Sequence, residues 1–123
     1  MMREEIIELF KNPDHFGELD DATHSAHKHN SSCGDEFTVY LKLTPSNTVE
    51  SASFSGSGCA ISTAAASLLM DKLHGMNVLQ IKDLTFESMQ ELLGMPISVG
   101  RAKCATLALD ATKIALHIIN SEE

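Results

Sequence analysis

The stretch Phe54-Ser-Gly-Ser-Gly-Cys-Ala-Ile-Ser62 constrains this chain more than any other. A strand-compatible run passes through two glycines into a long apolar segment, so the stretch reads as a strand that turns into a helix beginning at or near Cys59. A thiol at that corner faces the unpaired backbone N–H groups and the positive end of the helix dipole. Both favour thiolate, the form that ligates metal or attacks sulfur.

The segments on either side follow from periodicity and punctuation. Met2, Ile6, Leu9 and Phe10 recur at helical spacing over residues 2–10, with Glu4 and Glu5 in the first turn, and Asn12-Pro13 ends that helix. Residues 14–32 are polar, with Gly17, Asp20, Asp21 and three histidines, and read as a long loop with room for one short strand. Phe37, Val39, Leu41 and Leu43 alternate with Thr38, Tyr40 and Lys42, which predicts a half-buried strand. Thr44-Pro-Ser-Asn47 is turn chemistry, and Thr48 to Phe54 reads as the antiparallel return.

Beyond Gly58 the run Cys59 to Leu73 holds only small polar side chains before Asp71, which predicts a helix buried on most sides and closed by Gly75. Thr85 caps a further helix, with Leu84 and Met89 as a hydrophobic staple, Phe86, Met89, Leu92 and Leu93 as its apolar face, and Gly94 and Pro96 as its stop. The last helix is expected from about Val99 to Ile119, its stripe being Leu107, Ala111, Ile114, Ala115 and Ile118. Cys104 lies at the start of that stripe and points toward the core side.

Composition narrows the function. A chain of 123 residues makes one domain, and it buries roughly two thirds of the surface its unfolded form exposes, without needing disulfide or metal to fold. Nine basic against seventeen acidic residues leave a net charge of −8, which repels phosphate backbones and anionic membranes, so neither nucleic acid nor membrane is an expected partner. No apolar stretch has the length of a membrane span, and the N-terminus lacks a signal-type apolar region, so the expectation is a soluble cytoplasmic protein. Three cysteines far apart in such a chain are expected as reduced thiols.

Chemistry gathers at those thiols. In Cys33-Gly34-Asp35 the side chains at i and i+2 share one face of an extended chain, so a thiolate and a carboxylate can converge, with Gly34 leaving the space between them open. Together with Cys59 and Cys104 they make four ligands, the number tetrahedral Zn²⁺ or an iron of an Fe–S cluster requires. Taken singly, each cysteine reads more often as a small core residue than as a ligand, since free Cys is among the most buried residue types and none of the pairs forms C-x-x-C. His24, His27 and His29 have spacing compatible with Zn²⁺ or Ni²⁺, against the plainer reading of a solvated polar loop. His15 is expected to be structural, and His74 and His117 to lie on helix surfaces.

Asn12-Pro13 with Gly17, Cys33-Gly34-Asp35, Phe54-x-Gly-x-Gly-Cys59-Ala-x-Ser62 and Arg101-x-x-Cys104-Ala-x-Leu107 stand in an order that resembles the IscU/SufU/NifU N-terminal-domain family of iron–sulfur cluster assembly scaffolds. The resemblance covers nearly the whole chain. It implies an α+β fold, a small antiparallel sheet of about three strands packed by several helices, as a single domain over 1–123. It also implies a scaffold and carrier, not an enzyme. Such a protein takes persulfide sulfur from a cysteine desulfurase, takes iron, assembles a labile [2Fe–2S] cluster and hands it to apo-proteins. A homodimer sharing the cluster is one arrangement it allows.

By the resemblance Cys33, Cys59 and Cys104 ligate the metal, Asp35 tunes release or ligates zinc, and Cys104 is the first candidate persulfide acceptor with Cys59 the second. Gly34, Gly58, Arg101 and Lys103 modulate the site. Lys103 replaces the histidine of the IscU branch, and Leu93-Gly-Met-Pro-Ile-Ser98 replaces the Leu-Pro-Pro-Val-Lys run linked to a dedicated Hsp70. The flanks of Cys104 are SufU-like, whereas the interval from Cys59 to Cys104 lacks the SufU insertion. The alternative function is therefore a zinc-bound, SufU-type sulfurtransferase. A structural zinc module or thiol hydrolase stands behind both, for want of any oxyanion motif.

Overall fold

A computed structural model of the chain describes residues 3–31 and 34–119. Three antiparallel strands, β1 (His24–Asn30), β2 (Asp35–Leu43) and β3 (Val49–Ser57), form one sheet in the order β1-β2-β3. The helices are α1 (Arg3–Lys11), α2 (Ala60–Leu73), α3 (Val78–Lys82), α4 (Phe86–Leu93) and α5 (Ala102–Ala115). Helices α2 and α5 pack against the sheet and each other, α1 packs on α2, and α4 bridges α2 and α5.

The core is the apolar face of β2 pressed against the two long helices. Phe37, Val39 and Leu41 are fully buried, opposite Phe54 of β3, with Leu69, Met70 and Leu73 of α2 and Ala105, Ala108 and Ala111 of α5 closing over them. Each large apolar side chain so buried contributes about 1.5–3 kcal/mol. Phe54 stands edge-on to Phe37 and to Phe16, both with ring centroids 5.3 Å apart, which fills the space that an alanine-rich α2 leaves open. Ser67 of α2 is buried, and its hydroxyl accepts from Asp14 N at 2.8 Å and donates to Asp14 O at 3.0 Å. That pair ties the segment after α1 to the core.

Most elements stand where periodicity puts them, and the departures have local causes. The segment expected as a loop over 14–32 contains a seven-residue strand, β1. Its His-Ser-Ala-His-Lys-His-Asn sequence lacks apolar alternation, because the face under α5 only partly buries His24, Ala26, Lys28 and Asn30. Helix α3, five residues started by an Asn77/Gln80 capping box, was not expected at all. The last helix does not run from Val99 to Ile119: Val99–Arg101 is a single 3₁₀ turn, and α5 ends at Ala115, where the chain turns through His117 at φ 62°. Thr85 caps α4 as expected, with Leu84 and Met89 both buried, and Gly94 ends it in the left-handed conformation.

Candidate metal and sulfur site

The strand-to-helix corner at Cys59 has the expected geometry. Cys59 is the N-cap of α2, extended at φ −77°, ψ 175°, and its Sγ accepts from Ser62 N at 3.4 Å. A sulfur occupies the place an N-cap oxygen usually fills. Arg101, from the 3₁₀ turn, donates through Nη1 to the same sulfur at 3.8 Å. Both contacts aim positive hydrogens at Cys59, which is half-exposed.

The two glycines before it have separate reasons. At Gly56, φ is +124°, and a side chain would run into Glu36 O across the strand pair. At Gly58 a Cβ would overlap Ser62 Oγ and sit 2.9 Å from Phe37 Cζ and 3.3 Å from Asp35 Cγ. Gly58 thus lets the backbone pass close enough to Asp35 for the next residue, Cys59, to reach it.

Asp35, Cys59 and Cys104 converge: one carboxylate oxygen and the two sulfurs all lie within 4.8 Å of one another. Asp35 begins β2 and is 4% exposed, and its Oδ2 is buried with no hydrogen-bond partner among the described residues. Cys104, in the first turn of α5, is also 4% exposed, and neither it nor Cys59 is in a disulfide. A buried carboxylate oxygen with no donor costs about 1–3 kcal/mol or more unless something positive meets it. This donor set fits Zn²⁺ or iron, which take thiolate and carboxylate ligands at tetrahedral sites.

Cys33 lies outside the described residues, so its predicted place among the ligands rests on its chain neighbours. Gly34 follows it at φ +78°, its N–H donating to Asn30 O at 2.8 Å, and its Cβ position faces open space. Gly34 therefore serves the β1–β2 hairpin turn first and leaves the site open second. A cleft of about 430 Å³ opens over the three donors, lined also by Asn30, Val99, Gly100, Arg101 and Lys103. Arg101 and Lys103 are exposed at its rim. Asn30 and Val99 were not anticipated. Asn30 pairs in register with Asp35, a relation visible only once β1 is known, and Val99 is 94% exposed.

The histidines do not form a second site. Strand periodicity puts His24 on one face of β1 and His27 and His29 on the other. His27 Nε2 meets Glu36 Oε1 at 2.8 Å, whereas the His24 ring packs 6.5 Å from that of His117. His15 is structural, as expected: at φ 63° its carbonyl accepts from Phe54 N at 3.0 Å, so the chain can lie along the edge of β3.

This fold and site define a small α+β domain with a thiol and carboxylate centre at a strand-to-helix corner. The chain belongs to the NifU-like N terminal domain family, matching it over residues 1–122. An iron–sulfur cluster assembly scaffold protein IscU from Thermotoga maritima is 40% identical over 111 residues, 89% of this chain and 78% of that protein. The zinc-dependent sulfurtransferase SufU of Bacillus subtilis is 30% identical, covering 90% of this chain and 86% of its own. That alignment runs over 128 residues, longer than this 123-residue chain, and so opens gaps opposite extra residues of SufU. Among solved structures, a protein from Fervidobacterium islandicum AW-1 described as a putative iron–sulfur cluster assembly scaffold for the SUF system superposes with TM-score 0.74 at 25% identity, covering 94% of this chain and 96% of that one.

Proposed function

We propose that this protein is an iron–sulfur cluster assembly scaffold, a carrier and not an enzyme. It receives persulfide sulfur from a cysteine desulfurase, takes iron, and builds a labile [2Fe–2S] cluster that it passes to apo-proteins. The observation that carries this reading is the convergence of Asp35, Cys59 and Cys104 within 4.8 Å beneath an open cleft. Relatives named as scaffolds from Thermotoga maritima and Aquifex aeolicus, 40% and 30% identical, support it.

In the proposed site Cys33, Cys59 and Cys104 supply thiolates to the cargo and Asp35 the fourth ligand. The carboxylate is a weaker partner for iron than a fourth thiolate, which suits a site that must let its cargo go. Cys59 is the thiol that an incoming persulfide reaches, because it is half-exposed with Arg101 beside it while Cys104 is nearly sealed. We therefore place Cys59 before Cys104 as acceptor, the reverse of the order that the resemblance suggests. Reduced thiols belong in a reducing compartment, so we place the protein in the cytoplasm. No helix among the described residues is long and apolar enough to cross a membrane.

Anaerobic incubation with iron and sulfide develops thiolate-to-iron absorption on the wild-type chain. That absorption collapses in Cys59→Ala and in Cys104→Ala. If both variants keep the wild-type bands, the scaffold assignment fails.

The second reading is a zinc-bound sulfurtransferase, supported by the SufU relative and by the SufU-like Arg101 at the sulfur. The same donors would hold Zn²⁺, which keeps thiols deprotonated at neutral pH. Stimulation of a desulfurase by the zinc form, with no cluster formed, favours this reading over the first.

A further inference from the structure

Sulfur reaches a scaffold as sulfane sulfur, yet a cluster needs sulfide, so two electrons must come from somewhere. We propose that Cys59 and Cys104 are a resolving pair, in which sulfur taken up on Cys59 is discharged as sulfide by Cys104 and the chain itself supplies those electrons. This rests on the reading that the site accepts persulfide sulfur. The two Sγ atoms lie within 4.8 Å of one another, one on a half-exposed corner and the other buried behind it. An entering persulfide meets Cys59 first, and the attacking thiol stands on the inner side.

The step balances within the chain. Cys59 Sγ carries the added sulfur as Sγ–SH, and Cys104 Sγ attacks Cys59 Sγ. The bond from Cys59 Sγ to the terminal sulfur breaks, and the terminal sulfur leaves with the electron pair as hydrosulfide, taking up the proton lost by Cys104. A Cys59–Cys104 disulfide remains: two thiol sulfurs are oxidised as one sulfane sulfur is reduced. A low-molecular thiol then returns the pair to dithiol by exchange, becoming a disulfide itself.

The leaving group favours attack on the inner sulfur over transfer of the outer one. Hydrosulfide is a better leaving group than a cysteine thiolate, and exchange runs faster toward the lower-pKa leaving group. Arg101 and Lys103 line the cleft that receives the departing anion. Sulfide is thereby released into the cleft that Asp35 lines.

The test loads the reduced full chain with glutathione persulfide, removes excess reagent by rapid desalting, and follows sulfide release together with intact mass. The wild type first gains the mass of one sulfur. It then loses that sulfur as sulfide, finishing two hydrogens lighter than the reduced chain, with peptide mapping joining Cys59 to Cys104. Cys104→Ser and Cys104→Ala hold the sulfur they load on Cys59 and release at least tenfold less sulfide per sulfur loaded, and circular dichroism checks that each is folded. A wild type that loads but keeps both the sulfur and an alkylatable Cys104 overturns the resolving pair and leaves the scaffold reading standing. Mapping that joins Cys59 to Cys33 instead also overturns it. A chain that never loads sulfur on any cysteine overturns both.

Discussion

Arg101 Nη1 donates to Cys59 Sγ at 3.8 Å across 42 residues of sequence, joining the turn before α5 to the corner that starts α2. The contact brings a cation to a sulfur that already caps a helix N-terminus through Ser62 N. Arg101→Ala is expected to slow sulfur uptake at Cys59 severalfold while leaving thermal unfolding nearly unchanged, because the guanidinium is exposed and such surface contacts stabilise little. Arg101→Lys keeps the charge without the planar fork and recovers part of the rate. Alkylation of Cys59 under limiting reagent, with unfolding curves beside it, checks both.

Asp35 separates metal affinity from stability. Its buried Oδ2 has no hydrogen-bond partner among the described residues, so Asp35→Ala removes a polar group that the fold has to accommodate. The metal-free variant is expected to be at least as stable as wild type, by 0 to about 3 kcal/mol. Its Zn²⁺ affinity falls by more than about tenfold, since even groups outside the ligand sphere are worth about 10- to 100-fold. Denaturant unfolding of the metal-free chain and competitive Zn²⁺ titration should move in opposite directions.

Gly58→Ala tests the close approach at the corner. The new methyl meets Ser62 Oγ and Phe37 Cζ, and Phe37 is fully buried in a packed core, so it cannot step aside. A loss of about 1–3 kcal/mol is expected from overpacking. Metal binding weakens with it, because Asp35 and Cys59 are pushed apart. Urea midpoints and zinc stoichiometry measure the two effects.

Legibility of the site followed the range of the interactions that build it. The Gly58-Cys59 corner was readable because an N-cap and a strand-to-helix turn are local. Cys104 was readable because the helical stripe that it begins has a fixed period. Strand β1 was legible only as room for one short strand in a polar loop, because its polar residues are covered by α5, a partner far along the chain, and Asn30 was hidden with it. The three histidines read as one cluster only while their segment was taken as a loop, since strand alternation sends His24 the opposite way from His27 and His29. Arg101 was singled out from its motif, but its contact with Cys59 depends on how α2 and α5 pack.

A second inter-element tie is expected to show in stability alone. Ser67→Ala removes both hydrogen bonds to the Asp14 backbone, at a cost of about 1 kcal/mol. Because the lost contacts lie away from the sulfurs, iron and zinc binding are unchanged. Thermal unfolding and zinc titration of the same sample check the pair of outcomes.

The ion triad on the sheet has a defined pH signature. Lys42 Nζ lies 2.9 Å from Asp21 Oδ2 and 3.4 Å from Glu50 Oε2. Its hydrogen bond holds Asp21 below the ordinary carboxylate value, and the Asp21 and Glu50 carboxylates raise Lys42. The Asp21 contribution is thus present above the unfolded carboxylate value and is lost as pH falls through the lowered folded one. The Lys42 contribution is present below the unfolded lysine value and disappears as pH climbs through the raised folded one. Asp21 and Glu50 are exposed and Lys42 is half-buried, so the effect is small. Lys42→Met should flatten the pH dependence of the unfolding midpoint at both ends.

The central claim is that Asp35, Cys59 and Cys104 hold one metal-centred cargo. Cobalt(II) titration of the reduced, metal-free chain tests it most directly, because thiolate ligands at a tetrahedral ion give intense sulfur-to-cobalt absorption. The account predicts saturation at one ion per chain, with sulfur-to-cobalt bands that weaken in Cys59→Ala and in Cys104→Ala, and an altered ligand field in Asp35→Ala. Wild-type bands in all three variants would contradict it.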